Sequence, residues 1–253
     1  MIEAQAMRTN IFEVLDAQAH ARPDAPAVSD TLGNDWSYRQ LFDNSSVLAD
    51  KLIAMGVAKN DRVLAVVENC APAITAIFAA AQIGATIVPI NARQTAPEID
   101  RIIAHAEPAV LLFTDSVSPE AKAHAERLGA AELVPGLSGK AQRSAPDEVL
   151  SDVATLLYTT GTTGDPKGVM LTHANLLFGG GATGKTRNVT HADVLYGVLP
   201  ISHVFGLSSI LMASVLAGAS IRFAPRFVPA KLYEALTSGV PLLSAVPQMP
   251  ALL

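Results

Sequence analysis

The chain of 253 residues carries 18 Lys and Arg against 23 Asp and Glu, and half of it is hydrophobic while only 16% is charged. That balance excludes an intrinsically disordered chain, and a net charge of −5 with scattered Lys and Arg gives no footprint for nucleic acid. The single cysteine, Cys70, excludes an internal disulfide and a cysteine zinc site.

In chain order, the start (MIEAQAMRTNIFEVLD) is acidic and lacks the basic and apolar regions of a signal peptide, so a cytoplasmic protein is expected. Residues 11–20 predict an amphipathic helix that stops before Arg22-Pro23. Ser37 can cap a helix over 38–55 that ends at Gly56. Residues 73–90 are uncharged over 18 positions, the lower edge of a membrane span. Gln82, Gly84 and Pro89 within them point instead to a buried helix, a glycine stop and a β-branched strand. The same holds for 204–221, which serines and Gly218 interrupt. No transmembrane segment is therefore expected. Thr95-Ala-Pro-Glu98 has the form of a capping box opening a helix to His105, and 110–114 predict a strand. Residues 135–148, rich in Gly, Ser and Pro, predict a surface linker.

Two stretches resemble each other. Residues 61–90 and 193–225 each run Asp, apolar strand, turn with Pro, apolar helix, Gly-Ala, second strand, with 23 and 25 residues from Asp to Gly. Apolar strands joined by a helix are the signature of a parallel βαβ unit. The expected fold class is therefore α/β, with two similar subdomains over 1–134 and 149–253, their sheets mostly parallel and flanked by helices.

Chemistry concentrates after the linker. An apolar strand from Val153 leads into Thr159-Thr160-Gly161-Thr162-Thr163-Gly164, then Asp165-Pro166-Lys167-Gly168, and an extended pattern resumes before a helix capped by Thr172. Glycines let backbone N–H groups turn inward as an anion nest, threonine hydroxyls add donors, and Lys167 supplies a far-reaching charge. Such a loop suits a triphosphate or pyrophosphate. Gly179 to Thr186 (GGGATGKT) also matches the spacing of a P-loop ATPase. A helical segment precedes it instead of a strand, and no apolar helical face follows, so a glycine-rich surface loop is expected there.

YTTGTTGDPKGV at 158–169 closely resembles the phosphate-loop signature of the adenylate-forming enzymes, the superfamily of acyl-CoA synthetases, luciferases and adenylation domains. Trp36-Ser37-Tyr38, Gly56-Val57, Asp61-Arg62-Val63, Gly84-Ala85 and Val88-Pro89-Ile90-Asn91 fall where that family has similar residues. Pro200-Ile201-Ser202-His203-Val204-Phe205-Gly206-Leu207 resembles its second motif. The resemblance implies a two-step, AMP-forming ligase. A carboxylate attacks the α-phosphate of ATP, and a thiol, usually coenzyme A, then takes the acyl group. It also implies that Thr159, Thr160, Gly161, Thr162, Thr163, Gly164 and Lys167 bind the ATP phosphates, and that His203 and Phe205 line the acyl and adenylate pocket. Residues 202–206 contain no acid that could hold an α-amino group, which favours a fatty acid, with an aryl or coumarate-type acid as the alternative.

The family's adenine motif, its Mg2+-binding glutamate and its C-terminal lysine have no counterpart in these 253 residues. The expectation is an N-terminal fragment, inactive alone, whose partner is the remaining half of the same enzyme. A non-catalytic binding or assembly protein on the same scaffold is the alternative of another class.

Overall fold

A computed structural model describes residues 9–142, 146–159, 166–237 and, as backbone, 242–243. The chain opens with helix α1 (Ile11–Ala21), strands β1 (Pro26–Ser29) and β2 (Asp35–Ser37), and helix α2 (Tyr38–Ala54). Ser37 caps α2 through the amide of Gln40, whose side chain returns a bond to Ser37. A parallel unit follows: β3 (Arg62–Val67), α3 (Ala71–Ile83) and β4 (Thr86–Asn91). Next come α4 (Ala96–Ala106), β5 (Val110–Phe113), α5 (Pro119–Leu128), β6 (Ala131–Val134) and β7 (Leu137–Ala141). A short 3-10 turn (Glu148–Leu150) leads to the hairpin β8 (Val153–Thr159) and β9 (Lys167–Thr172), then α6 (His173–Thr186). The chain continues through β10 (Val194–Gly197), a π-helix (Phe205–Met212), α7 (Ala213–Ala217), β11 (Ser220–Phe223), α8 (Pro229–Thr237) and β12 (Leu242–Leu243).

Two sheets result. The first has the order β6-β7-β5-β3-β4-β8-β9, parallel through β5, β3, β4 and β8. The second has the order β12-β10-β11-β1-β2, parallel except for β2. Side chains alternate across each strand, so Val63, Ala65 and Val67 point to one face of the first sheet and Leu64 and Val66 to the other. The first face packs on α1, α2, α3 and the π-helix, which pack in turn on β1, β10 and β11 of the second sheet. The second face packs on α4 and α5, and α8 covers the far side of the second sheet. The layers therefore run helices, sheet, helices, sheet, helix.

This arrangement explains the uncharged run at 73–90. Helix α3 lies in the middle layer with Ala71 to Ala81 buried all round. Gly84 ends it at φ +79°, in the left-handed region that glycine tolerates. Among the described residues no helix is long and apolar enough to cross a membrane.

The boundaries expected from the sequence need correction. Strands β1 and β2 join the second sheet, whereas β8 and β9 join the first, so the chain crosses between sheets twice and does not divide at 134 and 149. The expected linker at 135–148 holds β7, which pairs antiparallel with β5 (Leu112 opposite Gly139) and buries Leu137. Pro135 and Gly136 form the two-residue turn between β6 and β7, with Gly136 at φ +82°. The small residues that suggested a linker fit a crowded strand: a Cβ at Gly139 would lie 3.0 Å from the Leu133 side chain and 3.3 Å from that of Leu112.

Candidate functional site

In parallel α/β sheets, ligands gather at the carboxyl ends of the strands. Here those ends in the two sheets face each other. Beyond β3 comes Glu68-Asn69-Cys70, and the Asn69 amide donates to the carbonyls of Gly197, the last residue of β10 (3.0 Å), and Leu199 (2.9 Å). Beyond β11, the Arg226 guanidinium reaches the Glu68 carboxylate at 3.3 Å and also pairs with Glu120 of α5. Arg93, beyond β4, approaches Glu68 at 3.4 Å. Burial pushes the Glu68 carboxyl up, and the two arginines oppose that shift.

The β8–β9 hairpin sits at the same edge. Its last described pair sets Thr159 opposite Lys167, both exposed, so the loop between them is anchored at adjacent strand ends. Thr160, Gly161, Thr162, Thr163 and Gly164, expected to bind phosphate, lie outside the described residues. The stem below them is firm. Tyr158 pairs with Gly168, its ring close to the glycine, and its hydroxyl is hydrogen-bonded to His105 Nδ1 of α4 at 2.8 Å. Burial raises the Tyr158 pKa, with Arg62 opposing, so the hydroxyl keeps its proton at neutral pH.

His203 and Phe205 lie on and just after one turn. The His203 amide donates to the Pro200 carbonyl at 3.1 Å, and its own carbonyl accepts from Leu207 at 3.0 Å. His203 is exposed and Phe205 is 40% exposed, so neither is a packed core residue. The Arg187 guanidinium stands 5.9 Å from the centre of the Phe205 ring, within cation–π range. Gly206 is required where it stands: a Cβ there would lie 2.2 Å from the Pro200 carbonyl oxygen.

Helix α6 joins these two places. It begins directly after β9, capped by Thr172 through the Asn175 amide, and packs on the π-helix. The glycines make that approach close. A Cβ at Gly179 would meet Ser208 Oγ at 2.4 Å, and one at Gly180 would meet Met212 Cβ at 2.7 Å. Thr183 Oγ1 donates to Ser209 Oγ at 3.2 Å. The expected surface loop at 179–186 is thus helix, because its glycines serve contact with a neighbour. Backbone groups already committed to a helix form no phosphate nest, which removes the P-loop ATPase alternative. Among the described residues no group of three or more His, Cys, Asp or Glu side chains converges on one point.

The sequence did not single out Glu68, Asn69, Arg93, Arg187 or Arg226. Its one available signal was a polar Glu-Asn pair ending a buried apolar strand.

The protein family described as AMP-binding enzyme matches residues 15–253. The chain is 31% identical over 209 residues to the long-chain-fatty-acid–CoA ligase FadD13 of Mycobacterium tuberculosis, covering 78% of this chain and 41% of that protein. It is 31% identical over 238 residues to a feruloyl-CoA synthase of an Amycolatopsis species, covering 92% and 48%. Among solved structures, ATP-bound MatB from Rhodopseudomonas palustris superposes with a TM-score of 0.77 at 29% identity, covering 96% of this chain and 50% of that one. The chain thus spans about half the length of these relatives.

Proposed function

The chain belongs to the AMP-binding enzyme family, and on that premise we propose that it forms the N-terminal part of an ATP-dependent acyl-CoA ligase. The observation that carries the reading is the β8–β9 hairpin, which sets Thr159 opposite Lys167 at the base of a threonine- and glycine-rich loop at the sheet edge.

In the reaction, a carboxylate oxygen attacks the α-phosphorus of ATP and the bond to the β-phosphate bridging oxygen breaks, releasing pyrophosphate. Such a transfer depends mainly on positioning and charge stabilisation. The loop from Thr159 to Gly164 would hold the β- and γ-phosphates by backbone and hydroxyl donors, and Lys167 would offset the charge growing on the leaving group. The thiolate of coenzyme A then attacks the acyl carbonyl and AMP departs. His203 and Phe205 would border the reacting carboxylate and the acyl tail.

A fatty acid is the proposed substrate, since the 202–206 segment carries no acid to hold an amino group. The equal identity to a feruloyl-CoA synthase supports an aryl acid as the second reading.

Pyrophosphate titrated calorimetrically into this chain tests the assignment. Lys167→Ala is expected to weaken binding about tenfold or more, the worth of one charge-assisted bond. Lys185→Ala, on the exposed face of α6, is expected to change nothing. The opposite pattern overturns the assignment.

A further inference from the structure

We propose that Asn69 is the positioning residue that fixes the turn at 200–206, and through it His203 and Phe205. The proposal rests on reading that turn as the wall of the acyl pocket.

Strand β10 pairs with β11 only as far as Gly197 opposite Phe223. Beyond Gly197 the chain stays buried through Leu199 and Ile201, where its polar groups need partners. The Asn69 side chain supplies them. Its Nδ2 donates to the carbonyls of Gly197 and Leu199, at 3.0 and 2.9 Å, and its Oδ1 accepts the Ile201 amide at 3.0 Å. One amide thus acts as a substitute strand for residues 199 and 201, and it shares the Gly197 carbonyl with the Ala224 amide, which donates there at 3.1 Å. Only Asn or Gln has two donors and an acceptor on one planar group, and Gln is longer by a methylene. Asn69 is 2% exposed, so water does not replace these bonds.

Its own position is fixed from behind. The Glu68 amide donates to Thr114 Oγ1 at 3.1 Å, and the Ala71 amide donates to Asp30 Oδ2 at 2.9 Å. From the clamp the constraint passes outward through Pro200. The Pro200 carbonyl receives the His203 amide, and Gly206 lies against the same carbonyl. A shift of Pro200 therefore moves His203 and the start of the π-helix together. The two βαβ units meet here at matching places: Asn69 and Ile201 each stand eight residues beyond the aspartates, Asp61 and Asp193, that open their units.

Asn69→Ala removes all three bonds, and Asn69→Asp keeps only the acceptor. Hydrogen exchange and the histidine ring signals in NMR spectra of the 253-residue chain read the result, with pyrophosphate affinity as control. In Asn69→Ala, the Ile201 amide is expected to exchange about tenfold faster, while Leu64 and Leu195 in the strands keep their rates. The His203 ring resonances are expected to move, and pyrophosphate affinity to stay within about twofold, because the hairpin is untouched. In Asn69→Asp, Ile201 is expected to stay protected while His203 still moves. Should Asn69→Ala fail to fold, Asn69→Ser, which leaves space for a bridging water, carries the same readouts. Unmoved His203 signals, or exchange that rises uniformly through the strands, overturn the proposal. Loss of pyrophosphate binding in the Lys167 experiment speaks only to the function, so the two failures are distinguishable.

Discussion

The two βαβ units, β3-α3-β4 and β10-π-α7-β11, share the bonds that open and close them and differ between: α3 is α-helical throughout, whereas the helical stretch of the second unit opens with eight π-helical residues. Each opens with an aspartate whose carboxylate accepts the amide three residues earlier, Ala58 for Asp61 at 2.8 Å and Thr190 for Asp193 at 2.7 Å. Each aspartate carbonyl accepts an amide from the start of the second strand, Thr86 or Ser220. Each helix ends on a left-handed glycine, Gly84 at +79° and Gly218 at +72°. In both units the helical stretch begins 13 residues before that glycine, at Ala71 and at Phe205. The two extra residues of the second unit therefore lie between its aspartate and its helix, in the stretch that carries His203. The first turn is buried and tied inward by Glu68 and Asn69, whereas the second exposes His203, Val204 and Phe205. The extra length of the second unit thus falls in the exposed turn before its helix, while the aspartate-to-strand bond and the glycine stop are common to both units.

The largest expected effect separates two equivalent positions. Twelve residues before the glycine stop stand Pro72 in the first unit and Gly206 in the second. Proline in the first turn of α3 needs no amide partner. Gly206 has no room for a Cβ against the Pro200 carbonyl. Gly206→Ala should cost about 2–3 kcal/mol of stability in urea unfolding, and Pro72→Ala less than about 1 kcal/mol. Equal costs would mean that the two turns are under the same constraint.

A smaller effect tests the shared feature. Asp61 is buried and Asp193 half-buried, though both make the same turn bond. Asp61→Ala should cost about 1–2 kcal/mol and Asp193→Ala about 0.5–1 kcal/mol, measured the same way. If Asp193 proves the more costly, the repeat is one of shape without shared energetics.

These positions also show what a reader of the sequence could see. The repeated Asp, glycine stops and capping boxes act locally, so Gly84, Gly218, Ser37 and Thr95 announced their elements. The hairpin strands flanking the phosphate-type loop were legible for the same reason, and Thr159 stands opposite Lys167 at its base. What stayed hidden depends on partners distant in sequence. Gly179 and Gly180 suggested a loop because nothing nearby reveals Ser208 and Met212 packed against them. Leu137 to Ala141 lacked strand character because their fit is to Leu112 and Leu133. Asn69 gave no sign of its three bonds, whose partners lie some 130 residues on.

The smallest expected effect probes what keeps the two units together. Helix α1 bridges them. Asn10 donates to Ala81 O at the end of α3 (2.9 Å), Gln18 Nε2 donates to Leu216 O of α7 (3.5 Å), and the Ile11 amide donates to Nδ1 of His173 (3.3 Å), the first residue of α6, which packs on the π-helix. Burial lowers the His173 pKa below its ordinary value of 6.5, with Asp152 and Glu13 opposing. A histidine held neutral in the folded state binds fewer protons than it does unfolded. Its contribution is therefore complete above the unfolded pKa and is lost as pH falls through 6.5 towards the folded value. Protonation of Nδ1 also removes the acceptor for Ile11, a bond worth about 1 kcal/mol. Between pH 7 and pH 5 the native chain should lose about 1 kcal/mol more stability than His173→Gln, which offers an acceptor that does not titrate. Parallel pH profiles would show that α1 is held by its apolar face alone, and that Ile11, Val14 and Leu15 bind the units together without His173.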